Sequence, residues 1–308
     1  CSSGLAKILK FKGVSSKLKM NLDCIPCFLR QGLQAARFAS KDEKIQENVL
    51  RKIMCSLLEE KWTSSPPILA RIVHQTVKSY TGTQDPYKEA KRESNKRILS
   101  QYSHYTSMIQ KSTNPFLTAL KLAIAGNIID YGALSDFDLD KSIQRILTTH
   151  PAIDKSSELQ HRIERANHLF YLADNAGEIV FDRMFLETIN KLRSHPIKVT
   201  FVVKGGPIIN DATEEDFHDV ALTEIPDIEI VKAGIGIPNT GPERNDPKFL
   251  DLMKAADVVI SKGQGNYEAL SEEKDVFFLL LAKCKIVARD LKVPLGSIVI
   301  HHGRDDNA

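Results

Sequence analysis

Between Cys24 and about His150, apolar residues recur three and four positions apart, in FLRQGLQAARFA, then EKIQENVLRKIMCSLLEEKW, then PPILARIVHQTVKSY. That spacing lays an apolar stripe along a helix and predicts a helical region over residues 20–150. Ser64 and Ser65 ahead of Pro66 and Pro67 mark a helix start, because a hydroxyl caps a first turn and proline fits inside one. The stretch TGTQDPYKEAKRESNKRILSQYSHY opens on a turn and continues as a polar, Lys-rich helix with one solvated side. STNPFLTALKLAIAGNIIDYGAL starts with a capping Ser or Thr before Pro115 and is then nearly all apolar, so its helix is buried on most sides. Asn127 and Asp130 lie near the end of that helix, three positions apart and on one face.

After about residue 155 the period changes. Apolar runs of five or six residues, each closed by a turn and followed by a helical stretch, appear as HLFYLAD, IKVTFVVKG, IEIVKAG, DVVISKG, KCKIVARD and GSIVIHH. Strands alternating with helices predict a Rossmann-like α/β core over 151–308, a mainly parallel sheet with helices on both faces. In such sheets ligands gather where the carboxyl ends of the strands turn into helices, which directs attention to those loops.

Composition adds bounds rather than detail. A chain of 308 residues with 42% hydrophobic and 26% charged side chains can bury a large core and folds without staples. Its 42 basic and 39 acidic side chains nearly cancel, which argues against a global field toward nucleic acid or anionic lipid. Residues 1–19 carry five Lys and no acid and are read as a disordered extension ahead of Met20. Their apolar stretch is too interrupted for a signal peptide, and no run approaches the about 20 apolar residues that span a bilayer, so a cytoplasmic protein with no membrane partner is expected.

Three strand-end loops carry candidate chemistry. The first reads Asp174, Asn175, Ala176, Gly177, Glu178 after a strand over 169–173. A carboxylate beside an amide offers oxygen donors to a hard cation such as Mg²⁺ or Mn²⁺, next to the N–H groups of an opening helix that suit a phosphate oxygen. Taken alone, either side chain reads more readily as a cap of the following helix. The second loop runs Lys204, Gly205, Gly206, Pro207 and on to Asp211, with Asp211 again open to a capping role. The third, Lys262, Gly263, Gln264, Gly265, Asn266, frees backbone N–H groups for an oxyanion and places a lysine charge beside them.

Other chemistries find less support. Neither GQGN nor GIGIPNTG matches the dinucleotide fingerprint GxGxxG, and the GxSxG nucleophile elbow is absent. Cys1, Cys24, Cys27, Cys55 and Cys284 are an odd, scattered set, read as reduced thiols. Cys24 and Cys27 form a lone Cys-x-x-Cys, for which a pair of partly buried thiols stands against a metal or redox role. His301 and His302 are read as surface tail.

The ordered set MNLDCIPC, AGNIIDYG, DNAGE, GGPIINDAT and KGQGNYE, spread over about residues 20–300, resembles the damage-control phosphatase family, in its prokaryotic-type branch with an N-terminal Cys-x-x-Cys. The resemblance implies a helical region against a Rossmann-like core and metal-dependent hydrolysis of small phosphorylated metabolites. It implies a divalent cation, Mn, Ni, Co or Mg, on Asp174, Asn175 and Asp211, and a phosphate contact from Lys262. Glu178, Asn127 and Asp130 match further motif positions that line the site. Lys204 falls where relatives often carry Arg, which keeps charge but loses the bidentate fork.

Phosphoryl transfer needs charge neutralisation and in-line placement. The expected parts divide that work between the cation ligands, the Lys262 ammonium and the N–H groups near Gly263 and Gly265, with Asn266 beside them. Either water or the Asp174 carboxylate attacks phosphorus. Two other classes are weighed: a methyltransferase holding S-adenosylmethionine, opposed by the carboxylates of DNAGE where a glycine loop belongs, and a metal- or phosphometabolite-binding protein without turnover. Specificity is expected from the helical region, including DPYKEAKRESN, while the oligomeric state is left open.

Overall fold

In the computed structural model, residues 21–60, 62, 66–128, 136–233 and 247–303 are described. Two compact units divide at Pro86, Cys1–Pro86 and Tyr87–Ala308. The first holds α1 (Cys24–Ala39), α2 (Glu43–Glu59) and α3 (Pro66–Thr81). Asp42 caps α2 by accepting the Lys44 N–H at 2.8 Å. Gly32 lets α1 come close to its neighbours, since a Cβ there would stand 2.3 Å from Ile53 Cδ1 and 3.3 Å from Val73 Cγ1.

The second unit runs α4 (Lys88–Ser100), α5 (Tyr102–Lys111), α6 (Pro115–Ala125), a 3₁₀ turn at Gly126–Ile128 and α7 (Asp136–Thr148). It continues with β1 (Ile153–Asp154), α8 (Ser156–Arg165), β2 (His168–Leu172), α9 (Glu178–Leu192), β3 (Lys198–Lys204), α10 (Glu214–Asp219) and β4 (Ile228–Ala233). It ends with α11 (Pro247–Lys254), β5 (Val258–Lys262), α12 (Gly263–Leu270), β6 (Val276–Leu281), α13 (Lys285–Asp290) and β7 (Ile298–His302). The sheet order is β1-β7-β6-β5-β2-β3-β4. All neighbours pair parallel except β6 and β7. Strand order reverses around β2, which lies between β3 and β5, and there the carboxyl-end crevice of a doubly wound sheet opens.

Helix α9 is the element that fixes the crevice. Its Ile179, Val180, Phe181, Met184, Phe185 and Ile189 are at most 1% exposed, each contributing about 2 kcal/mol of burial. Tyr105 of α5 meets Phe181 edge-on at 5.0 Å and Phe116 of α6 meets Phe185 at 5.4 Å. α6 is buried almost all round, as its apolar run predicts.

Four local expectations change. KCKIVARD is not a strand: Cys284 caps α13, accepting the Ile286 N–H, and the strand beside it is the wholly buried VFFLLL of β6. The polar helix after Pro86 is two helices meeting at Gln101, and its Lys91, Ser94 and Asn95 are buried. His301 and His302 belong to β7, and His302 is buried, stacked on Phe277 with centroids 4.1 Å apart. The capping box of α10 joins Thr213 to Asp216, so Asp211 is not its cap. The extension 1–19 and Asp130 lie outside the described residues. Among the described residues no helix is long and apolar enough to cross a membrane.

Candidate active site

The loops after β2 and β3 are joined by their backbones. Ala173 N–H continues the ladder to Val202 O at 3.0 Å, after which Ala212 N–H reaches Asp174 O and Ala176 N–H reaches Asn210 O, both at 2.8 Å. Asn175 and Asp211 thereby form an isolated antiparallel bridge. Gly177, at φ 77°, then turns the chain into α9 without any side-chain cap, so neither Asp174 nor Asn175 serves that helix as its N-cap. Both capping alternatives open at the level of sequence are thus removed, and the side chains of Asp174, Asn175 and Asp211 are brought to one place.

Around them lies a dense polar cluster. Asp174 Oδ2 accepts from the side-chain amides of Asn127 and Asn175, each at 2.6 Å. The same two amides donate to Glu178 Oε2 at 3.0 and 3.1 Å. Glu178 is fully buried, and Gly126 lets the 3₁₀ turn carrying Asn127 lie against it: a Cβ at residue 126 would stand 2.7 Å from Glu178 Cα. Gly263, at φ 74°, passes so close to Asp174 that an added Cβ would fall 1.9 Å from Oδ2. Gly263 and Gly265 open α12, whose first-turn N–H groups have no intrahelical acceptor.

The two lysines differ. Lys262 is fully buried and its three donors are all used, to Ala123 O at 2.9 Å and to Glu178 Oε1 and Asp182 Oδ1 at 2.6 Å each. Its ammonium faces carboxylates rather than the loop crevice. Lys204 Nζ donates to Asn266 Oδ1 at 3.1 Å and stands 3.6 Å from Asp211 Oδ2. Asn266 in turn donates to Ala173 O and Lys262 O, tying α12 to the end of β2. A small hollow beside these groups is lined by Leu172, Ala173, Lys204, Ala233 and Asn266.

Asp174, Glu178, Asp182 and Asp211 outnumber Lys204 and Lys262. Burial, then the charges of Glu178 and Asp211, push the Asp174 carboxyl well above its usual range, with Lys204 and Lys262 pulling the other way. Burial likewise raises Asp211 against Lys204 and Lys91. Burial lifts Asp182 to about 6 against the pull of Lys262. For Lys262, burial alone would lower the ammonium, but Asp182 and Glu178 outweigh it and hold it above the ordinary lysine value.

A divalent cation suits this environment. Asp174 and Asp211 offer carboxylate oxygens under electrostatic stress, and a half-turn of the Asn175 amide exchanges its N–H for a carbonyl oxygen. The donors are all oxygen, the chemistry of Mg²⁺ and Mn²⁺ sites.

Sequence reasoning missed Asp182, Tyr171, Asn95 and Gly126. Asp182 was accessible, as an acid four residues after Glu178 on an otherwise apolar helix face. Tyr171 donates to Asp182 at 2.7 Å, and nothing in its strand signals that.

The fold is thus a Rossmann-like sheet with a cluster of buried acidic side chains at its switch point. Residues 20–299 match the damage-control phosphatase ARMT1-like domain, and the chain belongs to that phosphatase family. It is similar to damage-control phosphatase PH1575 of Pyrococcus horikoshii, 33% identical over 92% of this chain and 97% of the relative. A damage-control phosphatase of Archaeoglobus fulgidus is 31% identical over 92% and 98%, and an uncharacterised protein of Methanocaldococcus jannaschii 35% over 95% and 98%. The crystal structure of the Pyrococcus horikoshii protein, described as a DUF89 family protein, superposes with a TM-score of 0.80 at 32% identity, covering 93% of this chain and 99% of that one.

Proposed function

We propose that the chain is a divalent-metal-dependent phosphatase acting on phosphomonoesters of small metabolites, with Asp174, Asn175 and Asp211 as the residues that would hold the cation. The observation that carries this reading is the Asn175–Asp211 bridge, which fixes two carboxylate loops against each other in a pocket with surplus negative charge. Mg²⁺, Mn²⁺, Co²⁺ and Ni²⁺ all accept such donors. When bound, the cation supplies Lewis acidity toward a phosphoryl oxygen. Glu178 holds the Asn127 amide, and Lys262 supplies the counter-charge shared by Glu178 and Asp182, a positioning role in place of the phosphate contact implied by resemblance. Lys204, next to Asp211, is the lysine nearest the proposed ligands and balances phosphate charge. The first-turn N–H groups at Gly263 and Gly265 donate to further phosphoryl oxygens. Water attacks phosphorus in line, the ester P–O bond breaks, and the proton that the water gives up passes to the departing alkoxide, leaving an alcohol and inorganic phosphate.

The test is release of inorganic phosphate from an aryl phosphate and from a panel of phosphorylated metabolites, with each metal in turn. Asp174→Ala and Asp211→Ala are each expected to remove at least 99% of metal-stimulated turnover, about 3 kcal/mol of transition-state stabilisation, while far-UV dichroism is retained. Undiminished activity in excess chelator, or full activity in both variants, would overturn the proposal.

A further inference from the structure

Asn95 of α4 lies outside the site loops yet touches one of them. It is 2% exposed, its Oδ1 accepts the Gly177 N–H at 2.6 Å, and its Nδ2 donates to Asp216 Oδ1 at 2.9 Å. Asp216, also 2% exposed, accepts on its other oxygen from Thr213 N–H at 2.9 Å, Thr213 Oγ1 at 2.8 Å and Lys91 Nζ at 3.2 Å. Gly177 follows Asn175 by two residues, and Thr213 follows Asp211 by two. The Asn175–Asp211 bridge closes the circuit from the other side. Asn95 and Asp216 therefore complete a ring through both loops: Gly177, Asn95, Asp216, Thr213, Asp211, Asn175.

We infer that Asn95 and Asp216 are positioning residues for this phosphatase, a buried clamp that sets the separation of the two loops carrying Asp174, Asn175 and Asp211; the inference rests on the proposed metal site. Physical chemistry gives the clamp its direction. The backbone bridge fixes the loops on the side of the sheet, and Asn95 takes the N–H of the Gly177 turn, whose φ is 77°, on the other side. A buried amide with its acceptor on one loop and its donor aimed at the other loop's capping carboxylate is an unambiguous spacer, because neither end accepts the other's partner. Lys91 stands 3.2 Å from the buried Asp216 carboxylate as its counter-charge, and its field also reaches Asp211. Groups that orient ligands in this way tune metal affinity by about ten- to hundred-fold.

The hydrogen-bond polarity yields a test that a merely stabilising role would not pass. Asn95→Asp sets a carboxylate against the Asp216 carboxylate and should weaken Mn²⁺ binding by about ten-fold or more. Asp216→Asn faces two amides and should also weaken it. The exchanged pair, Asn95→Asp with Asp216→Asn, restores the hydrogen bonds of the ring and moves the negative charge from 216 to 95: the carboxylate at 95 accepts from Gly177 and from the amide at 216, whose oxygen still accepts from Thr213. Lys91, four residues before 95 on the same helix face, keeps a carboxylate within reach. Mn²⁺ titration of the chelator-stripped chains by calorimetry, with the melting temperature of each metal-free variant, reads the outcome. Recovery of affinity in the exchanged pair to within about three-fold of wild type, against loss in the singles, is expected. Wild-type affinity in both single variants, or losses that simply multiply in the exchanged pair, would overturn the inference. Absence of Mn²⁺ binding by the wild-type chain would instead overturn the metal site on which it rests. Should Asn95→Asp not fold, Asp216→Asn and the exchanged pair give the same comparison.

Discussion

Asp174 is confined by groups that leave it little freedom: two amides on one oxygen and the backbone of Gly263 against the carboxylate. Gly263→Ala combines a Cβ at 1.9 Å from Oδ2 with a strained positive φ, so Asp174 must move. The expected result is a fall in kcat/KM of about 100-fold or more with a lesser loss of melting temperature, read by steady-state kinetics and thermal denaturation. Lys262→Met leaves Glu178 and Asp182 buried without their cation, at a cost of about 3–5 kcal/mol in unfolding free energy measured with urea. The loops that carry Asp174, Asn175 and Asp211 were legible in the sequence because they follow the strands β2 and β3, a position that topology makes significant. The partners of Lys262 were not, because Ala123 and Asp182 come from helices 139 and 80 residues away. Spacing along the chain carries no trace of such contacts.

At the scale of elements, β2, β3, β4, β5 and β7 were read correctly, the two-residue β1 was missed, and the larger error fell on β6 and α13. VFFLLL has no alternation because both faces of a central strand are buried, and KIVARD is too short to separate a period of 2 from one of 3.6. α3 carries a prediction of its own. His74 is 93% enclosed, its Nε2 has no hydrogen-bond partner among the described residues, and burial, aided by Lys78, lowers its pKa to about 4. The folded chain thus resists a proton that the unfolded chain binds near pH 6.5. Stability is full above that value and falls as pH drops toward 4, by about 1.4 kcal/mol per pH unit and about 3 kcal/mol in total. Urea unfolding of α1–α3 followed between pH 7 and 4 should show this slope, and His74→Leu should flatten it; an unchanged slope in the variant would refute the assignment.

For the whole molecule, the change from helical to alternating periodicity near residue 150 suggested a boundary, whereas the compact units part at Pro86. The physical reason is α6: a helix apolar on every side must be enclosed, and it packs on α9 of the α/β unit. Periodicity reports what each segment is, and burial decides which unit it joins. A cation that binds only the folded Tyr87–Ala308 unit raises its stability by about 2.7 kcal/mol at a hundred times its Kd, visible as a metal-dependent melting temperature. The most direct measurement is equilibrium Mn²⁺ binding to the chelator-stripped chain, with free Mn²⁺ followed by electron paramagnetic resonance, in wild type and in Asp211→Ala. Saturable binding by the wild type that disappears in the variant is the expected result. Equal binding by both chains would contradict the assignment of Asp174, Asn175 and Asp211 to the metal.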